Sequence, residues 1–93
     1  MRILANSRTV EGVTREQVVQ FFADHTIDSS TWDLVRHRVV TEHAFKVGTR
    51  PGVVLFLDVD SEEAAAQIVN ALPIVSHGLL VFDIDPVSPI AHF

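Results

Sequence analysis

Apolar positions along the chain switch repeatedly between a strand-like and a helix-like spacing. Residues 2–9 set apolar and β-branched side chains between polar ones, which predicts a first strand. Gly12 and Val13 lead into Thr14-Arg15-Glu16-Gln17. This is a capping box: Thr14 accepts from a backbone N–H, Gln17 reaches back, and Val13 staples to the apolar face behind. Val18, Phe21, Phe22 and His25 then recur at helical spacing. Asp28-Ser29-Ser30-Thr31 competes with helix through bonds from side chain to backbone. Residues 26–35 therefore read as a break followed by a second helical piece, with Trp32 and Val35 as its apolar contacts.

From Val39 to Val47 the period is two. Val39, Thr41, His43, Phe45 and Val47 share one face, and Val40, Glu42, Ala44 and Lys46 the other. One apolar face suits a strand near a sheet edge. Gly48-Thr49-Arg50-Pro51-Gly52 is a hairpin turn. Val53-Val54-Leu55-Phe56-Leu57 is apolar throughout, as in a strand buried on both faces. Asp60-Ser61-Glu62-Glu63 reads as a second capping box with Asp60 as cap. Ala64, Ile68, Ala71 and Leu72 form the inward stripe, flanked by Ala65 and Val69, and Pro73 ends the helix. Gly78 opens the last strand, Leu79–Ile84, which Pro86 and Pro89 terminate.

The order β-α-β-β-α-β predicts one α+β domain over residues 1–93. It is a ferredoxin-like arrangement, with two helices on one face of a four-stranded antiparallel sheet. Two helices leave the other face open, and the central and final strands read as apolar on both faces. An exposed apolar edge strand aggregates. An obligate homodimer or larger closed homo-oligomer, packed sheet on sheet, removes both problems.

Composition sharpens this. Of 93 residues, 47% are hydrophobic, more apolar surface than so short a chain can bury alone. There is no cysteine, which excludes disulfides, thiolate nucleophiles and cysteine-based metal sites. The N-terminal residues lack the apolar run of a signal peptide, and no stretch approaches a membrane span, so a cytoplasmic protein is expected. The net charge of −5 disfavours nucleic acid and anionic membranes as partners. All seven Lys and Arg lie in residues 1–50, and residues 51–93 hold six acids. Four of these, Asp58, Asp60, Glu62 and Glu63, cluster where a helix should begin, beside its positive dipole end.

Pro51-Gly52-Val53-Val54-Leu55, Asp60-Ser61-Glu62-Glu63-Ala64, Leu72-Pro73 and Gly78-Leu79-Leu80-Val81-Phe82-Asp83-Ile84, with Pro86 and Pro89, resemble the muconolactone isomerase-like proteins. The resemblance covers residues 50–90, and residues 1–30 only by element order. Its motifs are mainly structural: a turn, a helix cap, a helix stop and a buried strand. It implies a small bacterial dimeric α+β barrel, and a cofactor-free isomerase that shifts a proton within an unsaturated lactone during aromatic degradation. The wider superfamily includes cofactor-free monooxygenases and ring-closing enzymes. This chain departs in a longer span from Trp32 to Asp58 and a shorter or broken first helix. No complete catalytic set carries over residue by residue.

Candidate chemistry rests on histidine, the side chain suited to moving protons near neutral pH. His25 lies on the apolar stripe of the first helix, and His43 on the apolar strand face. Both should point between helix and sheet, where they could act as an acid/base pair on a lactone, enol or quinone-like substrate. The plainer reading of each is a hydrogen-bonded core histidine. Trp32, the only tryptophan, is either a pocket wall for a flat substrate or a packing residue. Asn6 could donate to a developing enolate oxygen, or simply face solvent at a strand end. Asp83 interrupts an apolar strand. Buried, it would be an acid or base of raised pKa; otherwise it marks where the strand leaves the core. Glu42 fits a cross-strand ion pair or a solvated position. His37, His77 and His92 fall near turns or termini and read as surface residues. The histidine spacing forms no compact ligand motif, so no metal is expected. No glycine-rich phosphate loop is present, so no nucleotide cofactor is expected, and the resemblance implies a protein without any cofactor. Isomerase, cofactor-free oxygenase or cyclase, and non-catalytic ligand-binding accessory protein all fit this chemistry.

Overall fold

Strand β1 (Arg2–Thr9) opens the chain in the computed structural model, which describes residues 1–25 and 29–90. Ile3, Ala5 and Ser7 are buried, while Asn6 and Arg8 between and beyond them are exposed, as a half-covered strand requires. Helix α1 (Arg15–Asp24) starts on the expected capping box. Thr14 Oγ1 accepts from the Gln17 N–H at 3.2 Å, and Gln17 Oε1 accepts from the Thr14 N–H at 2.7 Å. Helix α2 (Ser29–Arg36) is the second helical piece, and the expected break at 26–28 lies outside the described residues.

Strands β2 (Val40–Lys46) and β3 (Gly52–Asp58) form the hairpin. Helix α3 (Glu62–Asn70), the short α4 (Pro73–Ser76) and strand β4 (Leu80–Pro86) complete the order. The class is α+β. One open antiparallel sheet runs β2-β3-β1-β4, joined among the described residues by four helices rather than the two expected. Strands β2 and β4 are the edges and β3 is internal; the apolar patterns predicted this for β2 and β3, while β4 sits at an edge despite its apolar run.

The phase of several elements differs from the sequence reading. In β2 the register shifts between Val40 and Glu42, a bulge that leaves Thr41 unpaired. Val40 is therefore buried opposite Leu57, on the same sheet face as His43 and Phe45. The cap of α3 is Ser61, not Asp60: its Oγ accepts from the Ala64 N–H at 3.1 Å. The buried line of α3 is Ala65, Val69 and then Leu72, with Ala64 and Ile68 at its flank and Ala71 exposed. Helix α3 stops at Asn70, and Pro73 instead begins α4, where its fixed φ and missing N–H are no handicap. Strand β4 carries Val81, Asp83 and Asp85 on the open face, so that face is not apolar throughout.

The main core joins Ile3, Ala5, Val40, Leu55 and Leu57 of the sheet to Ala65, Val69 and Leu72. Each large aliphatic side chain buried there contributes roughly 1.5–3 kcal/mol. A second, smaller cluster of Val18, Ile74 and Leu80 ties α1 and α4 to the start of β4. The helical face of the sheet thus holds two cores, and a cleft lies beside them.

Candidate active site

Each wall of the cleft follows from the periodicity of one element. In α1, residues three and four apart share a face. Burial of Val18 therefore brings Phe21, Phe22 and, one turn later, His25 to the cleft. Helix α2 contributes Trp32 and Val35, and β2 contributes His43 and Phe45 on the face that the bulge aligns with Val40. Val53, Leu55 and Phe82 form the sheet floor, and Leu72, Pro73 and Ile74 close one end. The cavity is about 190 Å³, below the roughly 300–1,000 Å³ of drug-sized sites, which limits it to a small ligand. It opens toward the β2 edge, where Phe45 is 60% and Trp32 44% exposed.

The rings interlock. Phe22 meets Phe45 edge-on at 5.1 Å, and Trp32 meets His43 edge-on at 6.5 Å. His25 stacks on Phe21 at 4.1 Å and 15°, and His77 leans on the same pair. Such faces favour a flat, unsaturated ligand.

His25 Nδ1 lies 3.1 Å from the Phe21 carbonyl oxygen. A carbonyl only accepts, so Nδ1 carries a proton, and in the neutral form of such a ring the lone pair lies on Nε2. The same bond recurs from His37 to the Asp33 carbonyl at 2.8 Å and from His77 to the Pro73 carbonyl at 2.7 Å. Three helices thus end on a histidine that satisfies a carbonyl of their last turn. The His43 ring has no hydrogen-bond partner among the described residues.

Three of the five residues singled out from sequence, His25, Trp32 and His43, therefore line one cleft. The other two do not. Asn6 and Asp83 are register partners on β1 and β4, on the open face of the sheet. Asn6 is exposed and its Oδ1 accepts from Lys46 Nζ at 3.0 Å. Asp83 is exposed, not buried, and accepts from Arg8 Nε at 2.6 Å. That hydrogen bond, and then the carboxylate charge, raise the Arg8 guanidinium above its usual range. Glu42 makes a cross-sheet ion pair with Arg2 at 3.6 Å.

The aromatic walls Phe22, Phe45 and Phe82 were not singled out from sequence. Phe45 had a signal, its position two residues after His43 on one strand face. Phe82 had none, since its place on the cleft floor depends on the tertiary fold. His77 is exposed, as read from sequence, yet packs on Phe21 and His25. His92 lies outside the described residues.

Among the described residues no three His, Asp or Glu side chains converge on a metal-sized site. No described helix is long and apolar enough to cross a membrane. Comparison with protein-family models and with curated proteins finds no match to this chain.

Proposed function

We propose that this chain is a cofactor-independent, isomerase-like enzyme that moves a proton on a small lactone, enol or other ring-containing metabolite. The observation that supports it is the placement of two imidazoles, His25 and His43, on one aromatic-walled cleft. His25 Nε2 takes a proton from a ring carbon next to the substrate carbonyl. As the electron pair shifts through the conjugated system, His43 delivers its ring proton to the far carbon; His25 then releases its extra proton to solvent and His43 regains one, which resets both rings. One proton leaves and one is added, a double bond shifts, and nothing is oxidised or reduced.

Two helical crossovers around a central hairpin, with strand order β2-β3-β1-β4, support a ferredoxin-like reading. Half-buried Leu4, Val54, Phe56 and Val81 lie on the open face, where Arg8 pairs with Asp83 and Arg2 with Glu42. An apolar centre beside two charge pairs already neutralised within the subunit supports a dimeric α+β barrel, in which a second copy covers this face.

The test is proton exchange. β,γ-Unsaturated butenolides are incubated with the protein in D₂O, and deuterium incorporation is followed by NMR. The wild type should catalyse exchange and double-bond migration, and His25→Ala and His43→Ala should not. A second reading, a ligand-binding accessory protein without turnover, is favoured because no described residue hydrogen-bonds the His43 ring, whereas a catalytic histidine is ordinarily held by such a partner. Ring binding without exchange in the wild type would establish it instead.

A further inference from the structure

We infer that the cleft selects uncharged ring compounds and rejects the same rings carrying a carboxylate or phosphate. This rests on the reading of the cleft as the ligand site. An anion entering an apolar cavity loses its hydration and needs a cation to offset that loss. The chain has seven Lys and Arg side chains, and none lines the cleft. Four are engaged elsewhere. Arg2 lies over the Phe56 ring and pairs with Glu42, and Arg8 holds Asp83, both on the open face. Lys46 reaches across to Asn6 Oδ1 and the Ser7 carbonyl. Arg36 bonds Asp33 on its own helix. Arg15, Arg38 and Arg50 are exposed outside the cleft.

The polar groups that do line it are His25, His43 and Thr31. A neutral imidazole or a hydroxyl can donate to or accept from a carbonyl, hydroxyl or amide oxygen, but carries no charge to balance an anion. The net charge of −5 adds a long-range field that opposes anion entry. A cleft with apolar walls, neutral hydrogen-bonding groups and no fixed cation thus discriminates by charge at constant ring shape.

The matched probes are 2-naphthamide and 2-naphthoate, which share ring and outline and differ in charge. Both are titrated into the full chain at pH 8, where free imidazole is neutral, and followed by ligand-observed NMR. The amide should bind at least tenfold more tightly. Its binding should weaken at least tenfold in the Trp32→Ala, Phe45→Ala double variant, whose two positions are exposed and whose fold circular dichroism checks. Equal or tighter binding of the carboxylate overturns the charge selectivity and leaves the cleft standing as a ligand site. Failure of both probes at millimolar concentration, or amide binding unchanged in the double variant, overturns the inference together with the site.

Discussion

The indole of Trp32 and the imidazole of His43 meet edge to face, 6.5 Å apart and 82° inclined, although they come from α2 and β2. Their contact joins the one tryptophan of the chain to one of the two cleft histidines. His43 is exposed and makes no ring hydrogen bond among the described residues, so His43→Ala loses only the Trp32 ring contact and should cost no more than about 1 kcal/mol. Urea unfolding followed by Trp32 emission measures this. The same variant should lose deuterium exchange on butenolides, which separates a chemical role from a structural one.

Helices α2 and α4 end in the same way with different residues. Val39 and Leu79 donate to Leu34 and Ile74 carbonyls, and Arg38 and Gly78 to Val35 and Val75 carbonyls, a Schellman pattern at each end. Gly78 takes the required positive φ of 80° without strain, but Arg38 takes 60° with a Cβ. Arg38→Gly should therefore stabilise the fold by about 0.5–1 kcal/mol, and Gly78→Ala should destabilise it by about 1 kcal/mol. Thermal unfolding of both variants checks the opposite signs.

Features set by local sequence were legible, and those set by pairing were not. The Thr14 capping box and the Val18–Phe21–Phe22 stripe depend on residues within two turns, and both form. The β2 bulge inserts Thr41 without disturbing the written alternation, so Val40 reads as facing the wrong way. In α3 the run Ala64-Ala65-Ala66 fits several helical phases, and the sheet selects Ala65 and Val69. Pro73 stops one helix and starts another, and sequence alone favoured only the first role. For the site, period and face put His25 and His43 between helix and sheet, but that they share one cleft with Trp32 depends on the tertiary fold. Asn6 and Asp83 fell on the open side because a strand pattern does not say which face the helices cover.

Gly52 is required by its neighbours rather than by its own backbone. A Cβ there would lie 2.3 Å from Ser7 Oγ and 3.0 Å from Lys46 Cε. Ser7 is buried, and its Oγ accepts from the Val53 N–H at 2.8 Å, so it has little room to move. Gly52→Ala should cost about 1–3 kcal/mol in chemical denaturation, as overpacking does, and should loosen the Lys46–Asn6 bond.

The open face gives a separate prediction. The chain should sediment as a dimer or larger closed oligomer at micromolar concentration. Val54→Lys with Phe56→Glu should shift it toward monomer, because both residues project from β3 on that face. A wild type that stays a soluble monomer would remove the proposed interface while leaving the cleft untouched.

The most direct test of the account maps where a ring-shaped ligand sits. Aromatic and backbone NMR shifts are recorded while 2-naphthamide is added to the wild type. The Trp32 indole, the His25 and His43 rings and the Phe22–Phe45 pair should move together and saturate with one dissociation constant. Shifts confined to Leu4, Val54, Phe56 and Val81, or no saturable shift, would contradict the cleft as the functional site.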